Sequence, residues 1–158
     1  MLITIVIVRL EIVCMKIRIA LLLIALSSFF IAAKEPLIIG YSETLDSKVL
    51  GEQRRISVYL PRTYQSQSNK TFDVLYLLDG NVNLMHTAGS QYFLAGYRQM
   101  PELIIVGIYN TDRNRDLTPS KVDRIPNSGG AENFRKFINS ELIPYIETNY
   151  RTGDKKYL

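Results

Sequence analysis

Polar and apolar residues alternate early in the chain and separate into runs later. Ile56, Val58 and Leu60 alternate with Arg55, Ser57 and Tyr59. A period of two turns one face of a strand inward and the other toward solvent. The mixed segment 41–49 precedes it, and Leu50-Gly51-Glu52 between them has the make-up of a turn, so the pattern predicts an antiparallel pair. Pro61 ends the second strand, and residues 65–70 (QSQSNK) form an exposed loop with no apolar residue. Val74-Leu75-Tyr76-Leu77-Leu78 and Leu103-Ile104-Ile105-Val106, the latter closed by Gly107, show no alternation. Runs of this kind mark strands covered on both faces, as in parallel sheets flanked by helices. Residues 83–99 between them have a helical composition, weakened by Gly89 and Gly96.

Residues 110–130 (NTDRNRDLTPSKVDRIPNSGG) are irregular, and loops of that length are usually functional or mobile. The clearest helix follows. Phe134, Phe137, Ile138, Leu142, Tyr145 and Ile146 recur at steps of three and four and form one apolar stripe. Pro144 lacks a backbone donor and is expected to kink or end that helix. Arg151-Thr152-Gly153-Asp154 reads as a turn, and Lys155 to Leu158 as the start of a strand. The order β-β-β-α-β-loop-α-β predicts an α/β fold with antiparallel opening strands, then a parallel sheet with flanking helices.

Ahead of this domain, residues 15–33 (MKIRIALLLIALSSFFIAA) have the plan of a signal peptide. Lys16 and Arg18 supply the positive region, Ile19 to Ile31 the apolar region, and Ala32 and Ala33 the small residues of a cleavage site. Met15 is then the preferred start, residues 1–14 an over-extended N-terminus, and 34–158 the mature domain. The alternative is an uncleaved anchor over residues 2–33, long enough to span a bilayer. It would place Arg9, Glu11, Lys16 and Arg18 within the span at a cost of several kcal/mol. Either reading predicts an exported protein, periplasmic or secreted, touching a membrane only through an uncleaved leader.

Composition narrows the function classes. Residues 1–33 carry Arg9, Lys16 and Arg18 against Glu11; the other 125 residues carry 16 basic and 14 acidic side chains. Half of the net charge of +4 therefore belongs to the leader, and no basic patch with interleaved aromatics argues for nucleic acid. The one cysteine, Cys14, lies ahead of the mature domain, which excludes a disulfide framework there. His86 is the only histidine, and no carboxylate cluster stands with it at metal-ligand spacing.

The chemistry-bearing residues are few. No G-x-S-x-G string, the turn that exposes a hydrolase serine, occurs. Ser90 follows Gly89 and Ser128 precedes Gly129-Gly130, but neither has both glycines in place, so helix packing or capping is the expected role of each. His86 comes too early to be the base in the order serine, acid, histidine. Asp79-Gly80-Asn81 closes the first buried run. A glycine there permits a sharp turn or close backbone approach to a ligand, and Asp-Gly is also ordinary turn chemistry. In the 110–116 segment, Arg113 and Arg115 could bind an anionic substrate, or could pair with Asp112 and Asp116 and fix the loop.

Five segments, in order and at matching spacing, resemble the esterase family of the α/β-hydrolase superfamily that includes siderophore and feruloyl-type esterases. They are Arg55 to Pro61, Val74 to Gly80, Val106 to Arg113 continuing through Arg115 to Pro119, Gly129-Gly130-Ala131, and Glu141 to Glu147. The resemblance covers residue 41 onward. It implies the N-terminal portion of an α/β-hydrolase fold and a serine esterase acting on a small-molecule ester, with a Ser-Asp/Glu-His triad and no cofactor or metal. It implies a backbone N–H near Asn81 in the oxyanion hole, with Arg113 and Arg115 lining the site entrance. In such enzymes the strand beginning at Lys155 leads into the nucleophile turn. The expectation is therefore a truncated, inactive and marginally stable domain. A non-catalytic binding module and an acyltransferase of the same fold are the competing readings.

Overall fold

A computed structural model describes residues 11, 13–21, 34 and 37–158. The chain divides into two units, residues 1–37 and 38–158. In the first unit, residues 13–21 are helical and exposed, Cys14 among them. Most of the predicted apolar region of the leader and its cleavage site, residues 22–33, lie outside the described residues. Among the described residues, no helix is long and apolar enough to cross a membrane.

The second unit is built on a five-stranded sheet. Its strands are β1 (Tyr41–Ser47), β2 (Glu52–Tyr59), β3 (Phe72–Leu77), β4 (Leu103–Ile108) and β5 (Thr152–Tyr157), in the spatial order β1-β2-β4-β3-β5. β1 and β2 pair antiparallel around the turn at Gly51, whose φ of 66° suits glycine. β2 also runs antiparallel to β4, whereas β3 runs parallel to both β4 and β5. This is the predicted antiparallel opening followed by a parallel core.

Helices cover both faces. α1 (Gly80–Gly96) links β3 to β4. The short α2 (Arg113–Leu117) follows β4. α3 (Ala131–Phe137), a π-helical turn (Ile138–Leu142) and α4 (Ile143–Asn149) then run continuously to β5. Even-numbered strand residues such as Ile56, Val58, Val74, Tyr76 and Val106 pack with Phe134, Phe137, Leu142 and Ile146. On the opposite face, Tyr59 and Ile105 pack with Ala88 of α1, and Leu75 and Leu77 lie half-buried beside them.

Several local expectations change, among them the turn read over Arg151-Thr152-Gly153-Asp154, because β5 already begins at Thr152 and not at Lys155. The alternation read for the second strand holds only in its first half, because Ser57 and Tyr59 are buried as well; the strand pairs on both sides, and α1 covers its second face. β4 is buried at all six positions, but β3 alternates between buried and half-buried because α1 packs chiefly over β4 and β2. The first helix starts three residues earlier than its composition suggested, and β4 continues through Gly107 to Ile108. Pro144 neither ends nor breaks the last helix. It sits in the first turn of α4, directly after the π-helical turn. There the Ile143 N–H reaches back five residues to the Ile138 carbonyl. A proline lacks the donor that a regular helix interior would demand and crowds the preceding turn. Widening that turn accommodates both.

Candidate functional site

Parallel strands place their ligand sites at the carboxyl ends, where successive connections leave in opposite directions. Here that point is the end of β3. α1 carries the chain from β3 to β4 on one side, and α3–α4 carry it back across to β5 on the other. Asp79-Gly80-Asn81 stands there.

Two glycines set the geometry of this turn. A Cβ on Gly80 would lie 2.5 Å from Gly107 Cα and 2.6 Å from Ile108 N. The start of α1 therefore rests directly on the backbone of β4, and any side chain at 80 would lift it off. Asp79, immediately before, adopts a left-handed conformation (φ 52°, ψ 44°). Its carbonyl accepts from Val82 N at 2.9 Å and from Asn83 N at 3.0 Å, starting the helix. Asn81 is the second helical residue, among those whose N–H groups a helix leaves without an intrahelical acceptor. No acceptor for the Asn81 N–H occurs among the described residues. Asn81 borders an open cleft of about 540 Å³, lined also by Asp79, Val82, Asn83, Asn110, Thr111 and Arg113.

The far wall of the cleft is the segment after β4. Asp79 does not cap α1 with its side chain; its carboxylate instead accepts hydrogen bonds from Asn110 Nδ2 and, at 3.1 Å, from Arg113 Nε. Arg113 is largely exposed, and only its Nε is engaged in this pair.

Arg115 is placed differently. Its Nη1 and Nη2 donate to Glu52 at 3.0 and 2.6 Å, and its Nε donates to Asp116 at 2.8 Å. Glu52 is correspondingly held below the ordinary carboxylate range, chiefly by the hydrogen bond from Arg115; partial burial opposes this and the nearby Arg54 charge supports it. Asp112 accepts the Arg115 backbone N–H at 3.1 Å and Asn127 Nδ2 at 2.9 Å, so it caps α2 instead of pairing with a loop guanidinium.

Beneath this loop lies a pair that the sequence reading passed over. Arg54 and Asp116 are both fully buried and bonded to each other, and Arg54 Nη1 donates to the Tyr109 carbonyl at 3.0 Å. The Arg54 guanidinium also lies 5.3 Å from the Phe134 ring centre. Strand parity carried the signal, since Arg54 lies two positions before the inward-facing Ile56. The segment once read as irregular is thus locked to the sheet by a buried ion pair. Its far end is tied back as well: Gly130 N donates to the Arg115 carbonyl at 2.8 Å.

The remaining chemistry-bearing residues take structural places. Ser128 is buried, and its hydroxyl donates to the Ile125 carbonyl at 2.7 Å while accepting from Val122 N at 2.7 Å. Ser90 and His86 are exposed on α1. A larger hollow of about 760 Å³ lies at the amino end of β4, but the Glu102 carboxylate there is held by Thr63 and Lys70. No cluster of metal-ligating side chains occurs among the described residues.

A mixed sheet with antiparallel opening strands, helices on both faces and an unpaired helix-start N–H at the crossover point defines an α/β-hydrolase-type domain. The comparisons agree. Residues 47–157 match the family described as "Putative esterase", and the chain belongs to that family. Among solved structures, an IroE-like serine hydrolase from Shewanella oneidensis is 37% identical with a TM-score of 0.70, covering 74% of this chain and 40% of that one. The BES protein from Bacillus cereus is 27% identical with a TM-score of 0.64, covering 79% and 53%. The ferri-bacillibactin esterase BesA of Bacillus subtilis (strain 168) is 29% identical, covering 66% of this chain and 43% of the relative. The chain thus spans less than half the length of that curated relative.

Proposed function

We propose that this chain forms the anion-stabilising side of a serine-esterase site in an exported protein. The observation that carries the reading is the Asn81 N–H, unpaired at the cleft where β3 passes into α1. An ester carbonyl seated there gains negative charge on oxygen as a nucleophile attacks carbon. A fixed N–H aimed at that oxygen stabilises the tetrahedral state more than the ground state. Because the donor belongs to the backbone, and Gly80 sets it against β4, it needs no reorganisation as the charge develops.

The nucleophile turn and the base of the family mechanism have no counterparts in place among these 158 residues: no G-x-S-x-G occurs, and His86 is exposed on α1. The reading therefore assigns the chain one half of a reaction centre and predicts that residues 34–158 alone do not hydrolyse esters. Its substrate class is a small carboxylic ester, and ferri-bacillibactin is the first to try, given the relative named for it. Export follows from the leader pattern at residues 15–33.

The test is a pair of proteins assayed on p-nitrophenyl acetate and on ferri-bacillibactin. One is purified 34–158. The other joins it at Tyr157 to the portion of the Shewanella hydrolase that follows the matching strand. The first is expected to be inert and the second to turn over. Hydrolysis by 34–158 alone, or a folded but inert chimera, overturns the reading.

A further inference from the structure

We propose that Asp79 is a positioning residue for the Asn81 N–H, acting through a carboxylate clasp across the cleft; this rests on the esterase reading above. Left-handed backbone disfavours any residue with a Cβ, and glycine meets it without penalty. Position 79 adopts φ 52°, yet holds aspartate. Asparagine and aspartate tolerate that region when the side chain has a local use such as capping. At this position, however, the side chain makes no cap to α1. Its oxygens reach instead to Asn110 and Arg113, 31 and 34 residues further along the chain. Asn110 depends on this contact too, since its Oδ1 is buried without a hydrogen-bond partner among the described residues.

The geometry gives the clasp a direction. Gly80 against Gly107 prevents the start of α1 from sinking toward β4, because the backbones already touch. Nothing in that contact stops it from lifting or swinging along the cleft. The carboxylate supplies this second restraint by tying the residue before Gly80 to the segment after β4. That segment is in turn anchored by the buried Arg54–Asp116 pair. Asn81 is thereby held from below by a steric contact and from the side by charge-assisted hydrogen bonds.

The test is a series of 1H–15N spectra of the full 158-residue chain, with the thermal midpoint measured alongside. Asp79→Gly keeps the left-handed turn and removes the clasp. It is expected to displace and broaden the Asn81 amide signal while the midpoint and the amides of the second half of α1 stay as they are. Asp79→Asn keeps an acceptor oxygen and is expected to restore the signal part of the way. Asn110→Ala, which leaves the turn untouched, is expected to move Asn81 in the same sense as Asp79→Gly. An Asn81 signal unmoved in Asp79→Gly overturns the proposal, as does one that moves only together with all of α1. The readout is a backbone position and not turnover, so it stands apart from the outcome of the esterase assay.

Discussion

Two ion pairs start from the same short segment after β4 and serve opposite ends. Arg113 reaches outward to Asp79, with its side chain 65% exposed. Asp116 reaches inward to Arg54, with both side chains at 0%. In water, an exposed pair gains little, because solvent screens it and two long side chains lose freedom. In the interior each charge keeps one further partner, Glu52 for Arg54 and Arg115 for Asp116, but burial makes an incompletely matched charge costly, so breaking the pair leaves the other member under-compensated. The inner pair therefore acts as a strut under the loop. The outer one is free to bear on the cleft.

Removing Asp116 breaks this comparison hardest. Asp116→Ala leaves Arg54 charged and buried, and unfolding in urea should show a loss of about 3–5 kcal/mol. Adding Arg54→Met should recover most of it, since a packed apolar side chain no longer needs a partner. Failure to recover would mean that the cost lies in the packing around Phe134 and not in the stranded charge.

A smaller effect separates Glu52. Its carboxyl is held below the ordinary value of 4.5, first by Arg115. A depressed folded-state value stabilises the fold above the unfolded value and is lost as pH falls through the folded one. Stability measured from pH 6 downward should therefore fall below about pH 4.5, and Glu52→Gln should flatten that limb while lowering stability at neutral pH. An unchanged slope would remove Glu52 from the network.

Arg113→Gln should do least to the fold, within about 1 kcal/mol. Turnover by the chimera should nevertheless change, which is the outcome that most sharpens the contrast between the two pairs. Equal effects of Arg113→Gln and Asp116→Ala on stability would erase the contrast.

Much of the sheet was legible because burial on two faces and burial on one leave different patterns, as β4 and the first half of β2 show. The last helix was legible from its stripe. The clasp was not, because its two sides are more than thirty residues apart and aspartate before glycine is also ordinary turn chemistry. Arg54 was missed for a different reason. Arginine is rarely fully buried, so its identity argued against the parity that placed it inward. α2 escaped because five residues in a polar segment carry no apolar period; Asp112 caps them, and ion pairs to Glu52 and Arg54 hold them.

The π-helical turn also bears on how the last helix could be altered. Residues four apart in a regular α-helix advance about 40° beyond a full turn, so a stripe at Phe134, Ile138, Leu142 and Ile146 would spiral by about 120° away from the sheet. Yet all four are buried. The wider turn at Ile138–Leu142 unwinds part of that drift, acting as a phase corrector between two helical segments. Its extra residue is therefore not spare: forced into a regular α-helix at unchanged length, the segment would carry the full drift through to Ile146 and turn it, with the approach to β5, away from the sheet.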